Sequence, residues 1–279
     1  SRGLGDVYKR QDKDTTICIS LAARPSNFGT RFHNYLYQNL GLNYIYKACT
    51  TEDLEGAIRG LRALKIRGCG VSMPYKEACI PLLDELTPSA AAIQSVNTIV
   101  NENGRLVAYN TDFIAVRDLL RQAGLPPSAR VALRGSGGMA KAVAYALKLS
   151  GYENGIIIAR NEAQGRALAQ ACGYEWAASM DGVEAEYLLN ATPIGMAGGP
   201  EEGHYAFPEP MIERASAVMD VVAVPAETPL VHAARQLGKS VVTGAQIVAL
   251  QALEQFILYT GRHPDAELFA AATAHARAG

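Results

Sequence analysis

A short apolar run, Val131–Arg134, leads into Gly135-Ser136-Gly137-Gly138-Met139-Ala140, and an apolar-periodic stretch continues from there to Ser150. Strand, glycine turn and helix in that order make the first βα unit of a dinucleotide-binding fold. Gly135 permits the tight turn, Gly137 lets backbone N–H groups approach a pyrophosphate, and Ala140 lets the helix pack closely on its strand. The anion would sit at the helix N-terminus among Ser136, Gly137, Gly138 and Met139, where unpaired N–H groups and the helix dipole favour negative charge. The competing reading is a strand-to-helix turn without a ligand, and the complete context weighs against it. The next strand, Ile156–Ala159, ends at Arg160-Asn161. An acidic residue there suits the ribose 2′-hydroxyl of NAD, whereas a planar guanidinium suits the 2′-phosphate of NADP. Arg160 therefore favours NADP(H) over NAD. The neighbouring Glu162 is the feature that would favour NAD, and a surface arginine ending the strand is the alternative without a ligand.

From Thr15 onward, strand-like and helix-like runs alternate. Strands are expected at Thr15–Ser20, Tyr44–Ala48, Cys69–Met73, Tyr187–Asn190, Ala217–Val222 and Ser240–Thr243. Helices are expected at Thr30–Leu40, Leu54–Leu64, Pro88–Ile93, Phe113–Leu120, Ala163–Cys172, Pro229–Gly238 and Gln246–Tyr259. Pro74 can open a helix at its first turn. Asn97–Val100 and Arg105–Tyr109 read as a hairpin through Asn103-Gly104. This alternation predicts an α/β protein with parallel sheets. At 279 residues the chain exceeds the usual size of one core, so two domains are expected. Residues 1–11 show no period, cap or partner segment and read as a non-native flank.

The 26 basic and 27 acidic residues nearly cancel, which gives no global field for nucleic acid or an anionic membrane. No apolar run approaches the roughly 18 residues that a membrane span needs. The five cysteines, 18, 49, 69, 79 and 172, lack metal-ligand spacing, and the five histidines are dispersed. That usage predicts reduced, mostly buried thiols in the cytoplasm and no metal site.

Three polar segments interrupt the apolar runs: Ser72-Met73-Pro74-Tyr75-Lys76, Ser95-Val96-Asn97-Thr98 and Asn110-Thr111-Asp112. An amine, an amide and a carboxylate together are what a site needs to hold a hydroxyl or carbonyl and move its proton. Taken alone, Lys76 would read as a solvated lysine, Asn97 as a turn residue and Asp112 as a helix N-cap.

These segments resemble the shikimate dehydrogenase family across nearly the whole chain. Gly70–Lys76 is similar to its N-V-T-x-P-x-K element, Ser95–Ile99 to its A-V-N-T-I, Asn110–Asp112 to its N-T-D and Gly135–Ala142 to its G-x-G-G-x-x-x-A. Asn190–Met196 is similar to N-A-T-x-x-G-M, and Asp220 with Pro225 and Thr228-Pro229-Leu230 to D-x-x-Y-x-P-x-x-T-P-L. The resemblance implies a discontinuous substrate domain, 12–112 with 246–279, and a Rossmann-type NADP domain, 113–245, with substrate in the cleft. It implies reversible reduction of 3-dehydroshikimate to shikimate in aromatic amino acid biosynthesis, by a monomer or homodimer. Lys76 and Asp112 would handle the proton as a coupled pair. Ser72, Asn97 and Gln251 would hold the substrate. Asn161, Thr192, Pro193, Val221 and Gly244 would join the glycine loop and Arg160 around the cofactor.

The chain departs from the family at two places. The family's S-x-S-P loop carries two serines for the substrate carboxylate, and counting back from His33-Asn34 those positions hold Asn27 and Gly29. Asn27 and Thr30 are the remaining hydrogen-bond donors. Ala223 replaces the tyrosine of Y-x-P. Both changes resemble a shikimate dehydrogenase-like paralogue branch and admit quinate or another polyol acid as substrate. From another class, a non-catalytic dinucleotide sensor would need no proton-transfer pair.

Overall fold

The computed structural model describes residues 11–278, so the reading of 1–11 as a flank lies, Gln11 aside, outside the described residues. The chain divides into two compact units, one of residues 11–111 and 252–278, the other Asp112–Gln251.

The first unit runs β1 (Thr16–Leu21), α1 (Asn27–Asn39), β2 (Tyr44–Cys49), α2 (Leu54–Ala63), β3 (Gly68–Val71), α3 (Tyr75–Ala78), β4 (Glu85–Leu86), α4 (Pro88–Ile93), β5 (Thr98–Glu102) and β6 (Arg105–Tyr109). Its sheet has the order β2-β1-β3-β5-β6-β4. β1 pairs parallel with β2 and β3, while β5 pairs antiparallel with both β3 and β6. The sheet is therefore mixed where alternation alone predicts a parallel one. The cause is the β5–β6 hairpin: Asn103 and Gly104 both adopt positive φ, and the Asn101 side chain accepts from Gly104 N at 2.7 Å. One core lies among Leu21, Ile58, Leu61, Val96 and Ile99, the other among Phe32, Leu36, Tyr37, Phe256 and Tyr259.

After α5 (Thr111–Ala123), the second unit runs β7 (Val131–Arg134), α6 (Gly138–Leu149), β8 (Gly155–Ile158), α7 (Glu162–Cys172), β9 (Glu175–Ala177), β10 (Tyr187–Asn190), α8 (Glu209–Arg214), β11 (Ala217–Asp220), α9 (Pro229–Gln236) and β12 (Ser240–Thr243). Every pairing in its sheet is parallel, in the order β12-β11-β10-β7-β8-β9. This is the doubly wound order of a Rossmann fold, whose direction reverses between β7 and β10. β8, β10 and β11 are buried along their whole lengths, because helices on both faces of a parallel sheet require continuous apolar runs. α10 (Gly244–Thr260) and α11 (Ala266–Arg277) complete the chain.

α1 starts at Asn27, three residues before the expected Thr30. Pro74 precedes α3 as its N-cap and does not open the helix. α5 begins at Thr111, which makes Asp112 a first-turn residue and not a cap; a carboxylate there still favours the helix dipole. β4, β9, α8 and α11 were not anticipated.

Candidate functional site

In the Rossmann unit the anticipated cofactor residues gather at the carboxyl ends of the parallel strands. Gly135 follows β7 with φ +123°, and a Cβ there would lie 2.7 Å from the Ala191 carbonyl, so only glycine fits. Gly137 has ordinary φ and caps α6, and a Cβ added to it would meet no protein atom within 4 Å. That emptiness at a helix N-terminus is the cradle a phosphate fits. Ala140 is fully buried against the sheet. At Gly244 a Cβ would press on the carbonyls of Val221 and Val222 at 2.4 and 2.3 Å, which gives this glycine a steric reason of its own.

Beyond β8, Arg160 is exposed and its guanidinium has no hydrogen-bond or ion-pair partner among the described residues. Asn161 caps α7 by accepting from Gln164 N at 3.0 Å. Glu162, the residue that would favour NAD, accepts from Arg166 Nε at 2.8 Å. Arg134, which sequence reading passed over, ends β7 with its Nη1 donating to the Ala206 carbonyl. Burial lowers the Arg134 pKa most; Glu201 opposes that shift, and the positive charge of Arg160 adds to it. Two cations therefore stand near each other at the ends of β7 and β8. After β10, Asn190 Oδ1 accepts from Thr192 N at 3.0 Å and from Thr192 Oγ1 at 2.6 Å, folding the Thr192–Gly195 turn onto the strand end. The fully buried Asp220 accepts from Thr228 Oγ1 at 2.7 Å and from Val222 N and Asn190 Nδ2 at 3.0 Å. Burial pushes its carboxyl pKa up, and these donors pull it down.

In the first unit the three polar segments converge on Asn97, which is 3% exposed. Its backbone carbonyl accepts from Val71 N at 2.7 Å, which ties it to the strand leading into Ser72. The next residue back, Val96, donates its N–H to the Lys76 carbonyl at 2.9 Å. Asn97 Oδ1 accepts from Thr111 N at 2.7 Å, Thr98 Oγ1 at 3.0 Å and Thr111 Oγ1 at 3.2 Å. Asn110 Nδ2 donates to the Ser95 carbonyl at 2.9 Å. Asn110 and Thr111 are thus the structural half of the N-T-D segment, and Asp112 follows them at the start of α5. Lys76 is half-buried and Ser72 exposed.

The remaining substrate candidates are more dispersed. Asn27 is exposed at the first position of α1, while Thr30 lines a groove of about 520 Å³ with Asn34, Tyr35, Gln38 and His275. Gln251 is half-buried in α10, its Nε2 donating to the Val248 carbonyl at 3.2 Å. The glutamine that bonds into the Asn97 network is Gln255, one helical turn later, and no family motif pointed to it. Among the described residues no helix is long and apolar enough to cross a membrane, and no group of His, Cys, Asp and Glu could hold a metal ion.

The profile of the shikimate dehydrogenase substrate binding domain matches residues 27–99. The shikimate dehydrogenase-like protein of Haemophilus influenzae is 56% identical over 95% of this chain and 98% of its own length. The chain belongs to the shikimate dehydrogenase family. Members of this family are oxidoreductases acting on a CH–OH group. The Thermus thermophilus shikimate dehydrogenase, solved with NADP(H) and shikimate, superposes with TM-score 0.84 at 30% identity, covering 94% of this chain and 99% of that one. A quinate dehydrogenase from Corynebacterium glutamicum, solved with NAD, superposes with TM-score 0.83 at 27% identity, over 93% and 98% of the two chains. The high identity to a shikimate dehydrogenase-like protein agrees with the branch suggested by the residues that depart from the family pattern.

Proposed function

We propose that this protein catalyses the reversible NADP(H)-dependent reduction of 3-dehydroshikimate to shikimate, or of a closely related cyclic hydroxy acid. Residues 12–112 and 246–279 hold the substrate, and 113–245 hold the dinucleotide. The observation that carries this reading is the convergence on Asn97 of the segments bearing Ser72, Lys76 and Thr111, with Asp112 next in the chain. Such convergence serves a polyol substrate, because several hydroxyls must be held while one gains or loses a proton.

The cofactor supplies or accepts the hydride when bound. Gly135 to Ala140 offer backbone N–H groups to its pyrophosphate, and Arg160 is the partner for a 2′-phosphate. Thr192, Pro193, Val221 and Gly244 border the same strand ends, and Asn161 shapes the turn after Arg160. Among the chain's own groups, Lys76 Nζ gives or takes the substrate oxygen's proton, and Asp112 shares it as the second member of a coupled pair. Asn97, with Ser72 and Gln251, orients the hydroxyls. Replacing Lys76 by Met removes the proton donor while leaving the Rossmann unit untouched. Turnover should fall by about 10²–10⁴-fold with NADP⁺ binding unchanged; near-normal turnover would overturn the assignment.

Quinate is the second reading, favoured by the region around Asn27. Where the family places two serines, this chain has an exposed amide at Asn27 and a bare Gly29 whose nearest neighbour for an added Cβ is the Tyr46 ring at 3.5 Å. Oxidation of shikimate and quinate, each with NADP⁺ and NAD⁺, separates the two: higher kcat/KM with shikimate and NADP⁺ supports the first reading, and higher kcat/KM with quinate supports the second.

A further inference from the structure

Gln255 is 6% exposed, lies on α10 among apolar neighbours, and belongs to none of the motifs that mark this family. Its Nε2 donates to the Asn97 carbonyl at 3.1 Å and to Thr98 Oγ1 at 2.9 Å. Thr98, fully buried, receives that bond, so its single hydroxyl hydrogen is left to donate onward, and Asn97 Oδ1 lies 3.0 Å away. The orientation of the Asn97 carboxamide is not arbitrary. Thr111 N–H can only donate, so the atom 2.7 Å from it is the oxygen. With three donors fastened on that oxygen, Asn97 Nδ2 and its two hydrogens point away from the network, and they meet no acceptor among the described residues.

We infer that Gln255 is a positioning residue for the substrate, acting through Thr98 to hold the Asn97 carboxamide with its two donors presented to a substrate hydroxyl. The bond from Gln255 anchors the Thr98 hydroxyl and leaves its hydrogen two acceptors, Asn97 Oδ1 at 3.0 Å and, farther off, Thr111 Oγ1 at 3.3 Å. Without that anchor the hydroxyl is free to rotate, and Asn97 loses the hold of one of the three donors that fix its plane. Neither Gln255 nor Thr98 touches the substrate in this scheme.

The inference rests on the proposed role of Asn97, and the experiment keeps the two separable. Gln255→Met keeps length and apolar packing but removes the donor. With the substrate that the wild type turns over, KM should rise about five- to tenfold with a smaller change in kcat, the loss of one buried hydrogen bond. In an Asn97→Ala background the same change should do nothing further, because the group it positions is gone. An equal loss in both backgrounds would make Gln255 a packing residue and overturn the inference. Thr98→Val should reproduce the defect and Thr98→Ser should restore normal KM, which keeps the test open if Gln255→Met folds poorly. Independently of turnover, the Asn97 side-chain NH₂ signals in a ¹⁵N–¹H spectrum should shift and exchange faster in Gln255→Met and in Thr98→Val. Unmoved signals would overturn the relay even in a protein inactive on shikimate and quinate, where the functional reading would have failed separately.

Discussion

His33 shows how strongly a single side chain is shaped by what surrounds it. The ring is fully buried and stacks on Tyr46 with centroids 4.3 Å apart, and Phe32, Tyr37, Phe256 and Tyr259 also pack around it. Neither ring nitrogen makes a hydrogen bond of full geometry, and Gln255 is the polar group acting on it. Burial pushes its pKa down to about 3, with Gln255 opposing. The native state therefore refuses a proton that the unfolded chain accepts below its ordinary value near 6.5. Stability should accordingly be complete above that value and fall as pH drops toward 3, by about 1.4 kcal/mol for each pH unit from this group alone. Urea denaturation at pH 7, 6 and 5 should show a steeper loss for the wild type than for His33→Phe, which keeps a stacked ring without the titration. Parallel curves would show that His33 protonates in the native state. Its aromatic cage comes from β2 and α10 as well as from α1 and could not be read from one helix.

At the scale of the element, the β7–α6 turn separates what the fold needs from what a ligand needs. Gly135 serves the fold, as positive φ and the approach of Ala191 O leave no room for a side chain. Gly137 has no such structural need, since its φ is ordinary and its missing Cβ leaves open space, and that openness is what its proposed cofactor role requires. Gly135→Ala should destabilise the protein by about 1–3 kcal/mol or more, through backbone strain and steric conflict together. Gly137→Ala should leave denaturation within about 0.5 kcal/mol of wild type while weakening NADP⁺ binding, seen as a rise in Kd by fluorescence titration. Equal stability of the two variants would sink the distinction. This element was legible because strand, turn and helix each carried a local signal and all three agreed. β9 escaped because three residues, Glu175–Ala177, are too few for a period, and α8 because six residues offer barely more. α11 is rich in alanine, so its buried face at Ala272, Thr273 and Ala276 hardly differs in polarity from its exposed one. α10 hid Gln255 for a related reason: the helix is apolar on most sides, and the glutamine matched by resemblance, Gln251, drew attention away from the one bonded to Asn97.

Over the whole molecule, three hydrophobic clusters among the described residues each lie within one unit. Leu188, Val218, Phe207 and Leu230 pack within Asp112–Gln251, while the clusters around Leu61 and Phe256 lie within the other unit. Two sheets with separate cores were foreseeable from length and from the order of strands and helices, and the hairpin at Asn103-Gly104 already put one antiparallel pair in the first sheet; that its first strand also pairs antiparallel with β3 was not legible, because nothing local marks which strand lies beside it. Separate cores have a thermodynamic consequence. A ligand held by the strand ends of one sheet stabilises that core by mass action, about 2.7 kcal/mol at a free concentration 100 times Kd. The other core gains nothing unless the two unfold as one cooperative body. Hydrogen exchange with and without saturating NADP⁺ distinguishes these cases. Amides of β7, β8, β10 and β11 should exchange more slowly with the cofactor, most of all where global opening of that unit limits them. Those of β1, β2 and β3 should keep their rates. A parallel slowing in both sheets would mean that the protein opens as a single unit, and the shared helices α5 and α10, whose residues pass from one unit to the other, would then be the elements that couple them.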